Sequence, residues 1–557
     1  MLDLAIRGGT IADGTGAAPR RGDVGVAGGR IVALGRVDDP ARRTLDAGGA
    51  VVAPGFIDLH THYDAQVLWD RSLSISPWHG VTTVVMGNCG FSLAPTRPAH
   101  RDLLLRTLEN VEGMSLEALR AGVGEDWSFE TFPDYLDAIE RRGVAANVGA
   151  FVGHTALRTY VLGDEATERE ATPDEIARMR ELVRGALDAG ALGFATSKAP
   201  THVGAAGRPV PSRAASVAEI ESIAGALGDA GHGVLQATLG PGLFLDEFER
   251  IARATRRPVT FTALLAGMLG PTGHRAVLER CGVLQSEGVR VHPQVTPRPL
   301  QVEFQLASPL PFMALPFFAS YLAADVEGKK ALLRGEALRA AFRAQADRGR
   351  LGPGLRATCV VACAADPTLE ERTLGELADA RATHPVDVLF ELALATDLEA
   401  RFRMAVFNTD EAAVAELLTH PAPVLGLSDA GAHASQLCDA GLPTDLLGRW
   451  VREKGVLSLE QAVKRLTSEP AELLGLRDRG RIAEGTTADL VVFDPATVAC
   501  SGLRRVHDFP GGADRLVADA LGIRAVIVNG VAIREDGKDV LDPDGPLPGR
   551  VVRGGRA

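Results

Sequence analysis

Pro54-Gly55-Phe56-Ile57-Asp58-Leu59-His60-Thr61-His62 closes an apolar run that opens at Val51. Val51, Val52, Phe56, Ile57 and Leu59 read as a buried strand, and that strand runs straight into a His-x-His pair. Side chains alternate faces along a strand, so His60 and His62 point the same way. Two imidazoles one pleat repeat apart can grip one cation, at about 2.0–2.1 Å each for zinc. The plain alternative is two polar residues at a strand end. Gly55 permits a kink just before the strand, and Asp58 is close by in sequence. A second polar knot, Gly87-Asn88-Cys89-Gly90, follows the next apolar run, Val81 to Met86.

Working outward, the same pattern of strand and helix signals continues. Strand signals recur at 144–152, 191–196, 233–238, 258–264, 289–295 and 423–429. With the first two they make eight. Amphipathic helix signals lie between several of them, at Pro173 to Ala189, Val217 to Ala230, Leu243 to Thr255 and Gly273 to Glu287. Eight strand–helix units predict a parallel α/β barrel, with its chemistry at the carboxyl ends of the strands. His62, Cys89, His154 and Asp429 lie there.

Both chain ends differ from this middle. Leu4 to Gly9, Val24 to Val26 and Arg30 to Leu34 are short strands between glycine turns, with Gly28-Gly29 a hairpin signal. Ala488 to Pro495 and Ile523 to Gly530 repeat the style. The expected division is therefore a small β domain from 1–53 plus 471–557, around a barrel spanning 54–470.

The chain has 557 residues, 46% hydrophobic and 23% charged, with a formal charge of −12. That length buries a large core, and that charge argues against nucleic acid or an anionic membrane as a partner. The start, Met1 to Arg7, lacks a basic segment and an apolar core, so no signal peptide is expected. No unbroken apolar run reaches the roughly 18–20 residues of a membrane span. Six scattered cysteines suit a reducing cytoplasm, and Cys359-x-x-x-Cys363 reads as two small core residues. The most apolar stretch, Leu306 to Leu322, is broken by Pro309, Pro311 and Pro316 and reads as a covered loop, a lid or a subunit contact. A homo-oligomer stays compatible with all of this.

Several motifs resemble the amidohydrolase superfamily, in its D-aminoacylase or N-acyl-D-amino-acid deacylase branch. They are Ala53 to His62, Gly80 to Gly90, Gly153-His154-Thr155-Ala156-Leu157-Arg158, Ser428-Asp429-Ala430-Gly431-Ala432-His433 and Thr467-Ser468-Glu469-Pro470-Ala471. The resemblance spans nearly the whole chain. It implies a distorted (β/α)8 barrel with a small β-sandwich from both ends. It implies that His60 and His62 hold a metal, that Cys89 takes a bridging place, and that Asp429 ligates or faces the metal and shuttles protons.

The chain departs from that branch at two strand ends. The branch supplies one histidine from the fifth strand and one from the sixth. Here Leu235-Gln236-Ala237-Thr238-Leu239 and Phe261-Thr262-Ala263-Leu264-Leu265 place Thr238 and Ala263 at those positions, and Leu265 where a lysine often stands. His60, His62 and Asp429 still make three ligands with a position left for water, so one zinc or other divalent transition-metal ion per chain is expected. Cys89, as a thiolate, is a soft fourth donor or a remnant of the second position.

Candidates for holding a small-molecule substrate follow. His154 ends the third strand and Arg158 lies four residues on. Lys198 and His202 sit on the loop after the fourth. Arg298, between Pro297 and Pro299, could clamp a carboxylate with its planar guanidinium. His433 could bind substrate, cap the following helix or orient Asp429. His292 reads as part of the seventh strand's core. The predicted reaction is hydrolysis of a C–N amide bond, most simply in an N-acyl-D-amino acid, by metal-activated water with Asp429 as proton shuttle. A cyclic amide, imide or lactone opener on the same site is the second reading. A barrel that binds ligand without turnover is the third.

Overall fold

The computed structural model describes residues 1–124, 127–313, 315–348, 351–542 and 544–555. Eight parallel strands carry the site: β1 (Phe56–Asp58), β2 (Val81–Met86), β3 (Asn147–Gly153), β4 (Gly193–Ser197), β5 (Val234–Thr238), β6 (Val259–Thr262), β7 (Val291–Val295) and β8 (Val424–Leu425). They pair in sequence order from β1 to β8. The two edges then meet: Thr61 bridges Ala430 in parallel, and the His62 N–H donates to the Ala430 carbonyl at 2.7 Å. A sheet curled until its edges meet is the distorted (β/α)8 barrel that the eight strand signals predict.

The composition of these strands explains their place. Every residue of β2 and β3 is buried, as near-continuous apolar runs must be when both faces of a parallel sheet are covered. The intervening helices begin and end on legible signals. Thr172 accepts from the Glu175 N–H at 3.3 Å, while the Glu175 carboxylate accepts from the Thr172 N–H at 2.7 Å. Pro173 follows as the first helical residue, and Gly190 stops the helix Pro173–Ala189 with a φ of 112°. Such a cap contributes about 1 kcal/mol.

Both chain ends supply a nine-stranded sheet. Leu2–Ile11, Arg20–Ala27, Arg30–Gly35, Ala41–Asp46 and Val51–Pro54 come from the front. Leu490–Phe493, Ile523–Val528, Val531–Glu535 and Lys538–Asp539 come from the back. The halves join where Val51–Pro54 runs antiparallel to Leu490–Phe493. Gly28 and Gly29 take the predicted hairpin turn, both at positive φ. Asp489 fastens this layer to the barrel: it accepts from Asn147 at 3.0 Å, pairs with Arg479 at 2.6 Å, and takes the Asn529 N–H at 2.7 Å.

Met1–Arg298, Ala412–Ala434 and Cys438–Ala557 form one compact unit, and Pro299–Glu411 with Ser435–Leu437 form another. The second unit has its own antiparallel sheet of Leu300–Phe304, Arg401–Phe407 and Cys359–Ala362. Its core is aromatic: Phe304, Phe312, Phe318, Phe342, Phe390 and Phe402 are buried together. Leu306 to Leu322, predicted as a covered loop, lid or subunit contact, is largely irregular and covered, feeding this core through Leu306, Phe312, Phe318 and Tyr321. The prolines that interrupt it lie at or just before short turns at Leu310–Phe312 and Pro316–Phe318. Cys363 is buried there and Cys359 half-buried, both as free thiols. Among the described residues, no helix is long and apolar enough to cross a membrane.

Candidate metal centre

β1 ends at Asp58, and the chain continues extended for one more pleat. His60 and His62 therefore share a face, and their Nε2 atoms stand 3.2 Å apart. Cys89 lies in the turn after β2 with a φ of 55°, a left-handed conformation that costs a non-glycine residue of order 1 kcal/mol or more. The Gln236 side-chain oxygen, from the interior of β5, accepts the Cys89 N–H at 2.7 Å and holds that turn. The Cys89 Sγ is thereby placed 3.4 Å from His60 Nε2. Asp429 follows β8, also at positive φ, with Oδ1 3.2 Å from His60 Nε2 and 3.8 Å from His62 Nε2.

Those separations are what one small cation requires. Two nitrogens about 2.0–2.1 Å from a tetrahedral zinc stand about 3.3–3.4 Å apart, and a sulfur at about 2.3 Å stands slightly further off. The donor atoms of His60, His62 and Cys89 all lie within 4.8 Å of one another. With Asp429 the set is two imidazoles, a thiolate and a carboxylate, which suits zinc or a similar transition metal.

The residues behind the donors aim them. The Gln294 side-chain oxygen, from β7, accepts from His60 Nδ1 at 2.6 Å, and Gln294 in turn donates to Thr260 at 3.2 Å. A Glu112 carboxylate oxygen stands 3.2 Å from His62 Nδ1. With Nδ1 as the donor of the His60 ring, its Nε2 keeps a lone pair for a metal, while Glu112 stands at ion-pair distance behind His62. Glu112 ends the helix Arg101–Glu112, and its carbonyl accepts the Ala434 N–H at 3.1 Å, which pins that helix end to the loop after β8.

Electrostatics agree with a cation site. Burial pushes the Cys89 thiol up, but the His60 and His62 imidazoles outweigh it and bring it down to about 6. Burial pushes His62 down, yet the Glu112 carboxylate and the Cys89 thiolate hold it well above the ordinary imidazole range. His60 is likewise raised, by Cys89 and Asp429 against its burial. Thiolate and imidazolium stabilise each other here. A metal ion would take the place of those protons.

Other predicted site residues are placed differently. His154 is buried, with Nδ1 on Thr196 at 2.8 Å and Nε2 on Glu219 at 2.9 Å. Arg158, also buried, meets both oxygens of Glu219. Both side chains are spent on one carboxylate, so their predicted substrate role is replaced by a structural one. Lys198 donates to the carbonyls of Arg213 at 2.7 Å and Ala215 at 2.6 Å, tying down its own loop. Arg298, predicted as an anion clamp, pairs with Asp439 at 2.9 Å and donates to the Cys500 sulfur at 2.8 Å. His292 accepts the predicted core place, with Nδ1 3.1 Å from the Ala422 carbonyl.

His202 and His433 stay with the metal-side cluster. His202 Nδ1 meets the Ser197 hydroxyl at 2.6 Å, and its ring centre lies 5.1 Å from that of Phe91. Burial and the nearby His433 and His62 imidazoles press His202 down to about 3, so it is neutral. His433 turns at a φ of 48°, four residues after Asp429. Gln236, Gln294 and Glu112 escape sequence reasoning. A lone glutamine inside an apolar strand is the available signal for the first two; Glu112 has none locally.

The ends of the fifth and sixth strands, where the sequence lacks histidine, carry threonines instead. β5 ends at Thr238 and β6 at Thr262, and the Thr262 hydroxyl donates to Thr238 at 3.2 Å.

This geometry has relatives. The amidohydrolase family pattern matches residues 43–296 and 327–533. D-aminoacylase of Alcaligenes xylosoxydans xylosoxydans is 33% identical over 544 residues, covering 96% of this chain and 95% of that protein. A solved D-aminoacylase, studied for the functional role of its binuclear metal centre, superposes with a TM-score of 0.66 at 30% identity, covering 99% and 100% of the two chains. The N-acyl-D-glutamate deacylase of Bordetella bronchiseptica, complexed with zinc and a phosphonate inhibitor, gives 0.66 at 27% identity and covers 99% of each chain. With a strand-end His-x-His, a cysteine after β2 and an aspartate after β8 on a closed eight-stranded barrel, this chain is an amidohydrolase of the D-aminoacylase branch, a family acting on C–N bonds other than peptide bonds.

Proposed function

We propose that the protein hydrolyses the amide bond of an N-acyl-D-amino acid or a closely related N-acyl compound, using one divalent metal ion, with zinc the best match to its donors. The observation that carries this is the convergence on His60 Nε2, which stands 3.2 Å from His62 Nε2, 3.4 Å from Cys89 Sγ and 3.2 Å from Asp429 Oδ1. When bound, the ion supplies a nucleophile at neutral pH and a positive charge against the developing oxyanion.

The chain's own residues do the rest. His60 and His62 present Nε2; Gln294 holds His60 in that tautomer, and the Glu112 carboxylate lies 3.2 Å behind His62. Asp429 is the donor a substrate can reach: its side chain is 20% exposed, against 0% for His60 and 5% for His62. It receives the proton of the attacking water at a carboxylate oxygen and returns it to the leaving nitrogen. We assign the substrate's polar groups to His202 and His433; His202 is near enough to both Asp429 and His433 to feel their charges. One ion is the reading that Thr238 and Ala263 favour, since neither is a metal ligand of the needed kind. The solved D-aminoacylase has a binuclear metal centre with one-metal activation and second-metal attenuation, which supports one working ion here.

The test is a metal assay and a substrate panel on the purified chain. About one ion per chain by mass spectrometry, turnover of N-acyl-D-amino acids but not their L forms, and loss of both in His60→Ala are expected. A metal-free chain that turns over the panel defeats the mechanism. Turnover of cyclic amides alone replaces the substrate.

A further inference from the structure

At the amino ends of β5, β6 and β7, opposite the metal centre, lies a cleft of about 690 Å³. Gly233 precedes β5, Arg257 precedes Pro258 and β6, and Arg290 precedes β7. The size is that of a small-molecule site. Its walls carry five guanidinium groups and one carboxylate, in a chain whose formal charge is −12.

Two of the five are neutralised. Arg479 pairs with Asp489 and Asp478, and Arg481 takes the single lining carboxylate, Glu472. Arg257, Arg290 and Arg477 have no carboxylate within ion-pair distance among the described residues. They are nonetheless positioned. Arg257 donates to the Gly231 carbonyl at 2.8 Å and the Gly233 carbonyl at 3.2 Å. Arg290 donates to the Glu472 carbonyl at 3.2 Å. Burial pushes both guanidiniums down, and Arg257 presses further on Arg290. Together they also line a second recess of about 310 Å³ with Arg253 and Arg256. Arg257 and Arg290 are fixed by carbonyls, and the single carboxylate beside them is already paired with Arg481, so an anion's place is left open.

We propose that this cleft binds a small phosphorylated anion between Arg257 and Arg290, with Arg477 at its edge. A guanidinium fork matches two oxygens of an oxyanion, and a phosphoryl group offers three oxygens and up to two negative charges to a pair of forks, where a carboxylate offers two oxygens and one charge. The remaining walls, with Leu474 and Leu476, are aliphatic, and His232 is their single aromatic ring. That lining favours a phosphate ester or an oligophosphate over a stacked nucleobase. The site stands apart from the metal and makes no demand on the proposed reaction.

Inorganic pyrophosphate titrated into the metal-loaded chain by calorimetry tests it. Saturable one-to-one binding is expected for the wild type and for His60→Ala, and a rise in melting temperature with pyrophosphate for both. Arg257→Gln with Arg290→Gln should weaken binding by more than about tenfold, as the loss of charge-assisted hydrogen bonds implies. Arg290→Gln alone, at an exposed side chain, should give a smaller loss in a chain that keeps its fold. No saturable binding to the wild type overturns the proposal. So does binding that vanishes in His60→Ala yet persists in the arginine variants, because the anion would then sit on the metal. Equal affinity for succinate removes the phosphoryl assignment.

Discussion

The Glu112 carboxylate stands 3.2 Å from His62 Nδ1, at the far side of the ring from the metal-facing Nε2. A carboxylate behind a ligating histidine fixes the ring's tautomer and raises its basicity. Removing its charge while keeping its shape isolates that effect. Glu112→Gln should weaken metal affinity about 10–100-fold in a chelator competition, with little change in the far-ultraviolet dichroism. Unchanged affinity would mean that Glu112 only supports the helix end, where its carbonyl already meets Ala434.

Asp429 separates binding from turnover. Three donors remain when its charge is removed, so Asp429→Asn should retain most of the metal. Without the proton shuttle its kcat should fall about 10²–10⁴-fold. Metal content and kcat measured on the same preparation decide this. A variant that loses metal and activity in parallel would make Asp429 a ligand first and assign the proton transfer elsewhere.

The barrel is legible in the sequence because its strands are apolar on both faces and its helices carry caps. Each of the eight strand signals corresponds to one strand of the sheet. His60, His62, Cys89 and Asp429 are legible because strand ends are where such barrels work. The second compact unit is not, because Leu306 to Leu322 has neither a strand nor a helix period to mark it. Glu112 is not, because it comes from a helix end and meets His62 only through tertiary packing. The same limit hides the partners of His154, Arg158 and Arg298: these residues follow strands as the sequence indicates, but Glu219 and Asp439 lie far along the chain.

Thr238 and Ala263 carry the one-ion reading, and it can be reversed by design. Thr238→His with Ala263→His restores an imidazole to the ends of both strands. Metal content of the double variant should rise from about one to about two ions per chain, the added ion sharing Cys89. The Thr262 to Thr238 hydrogen bond lost in the exchange costs about 1 kcal/mol, which a barrel of this size tolerates. If the count stays at one, the loss of the second position involves more than those two side chains.

Glu219 gives the pH prediction. Ser216 caps its helix and accepts the Glu219 N–H at 3.1 Å, while the carboxylate turns inward to His154 and Arg158. Burial pushes this carboxyl up, but His154 and Arg158 outweigh it and hold it at about 2, below its ordinary 4.5. A depressed carboxylate stabilises the fold above its unfolded pKa and loses that contribution as pH falls from about 4.5 toward about 2. His154 acts in the same direction earlier: burial holds it below 6.5, so the folded chain resists a proton that the unfolded chain accepts from about pH 6.5 downward. Stability to urea should therefore decline from about pH 6.5 and steepen below about 4.5. Glu219→Gln should lower stability by about 3–5 kcal/mol at pH 7, because Arg158 is left buried without its counter-charge. It should also remove the steeper acid limb. A variant whose pH–stability curve keeps that limb would assign the acid sensitivity to other carboxylates.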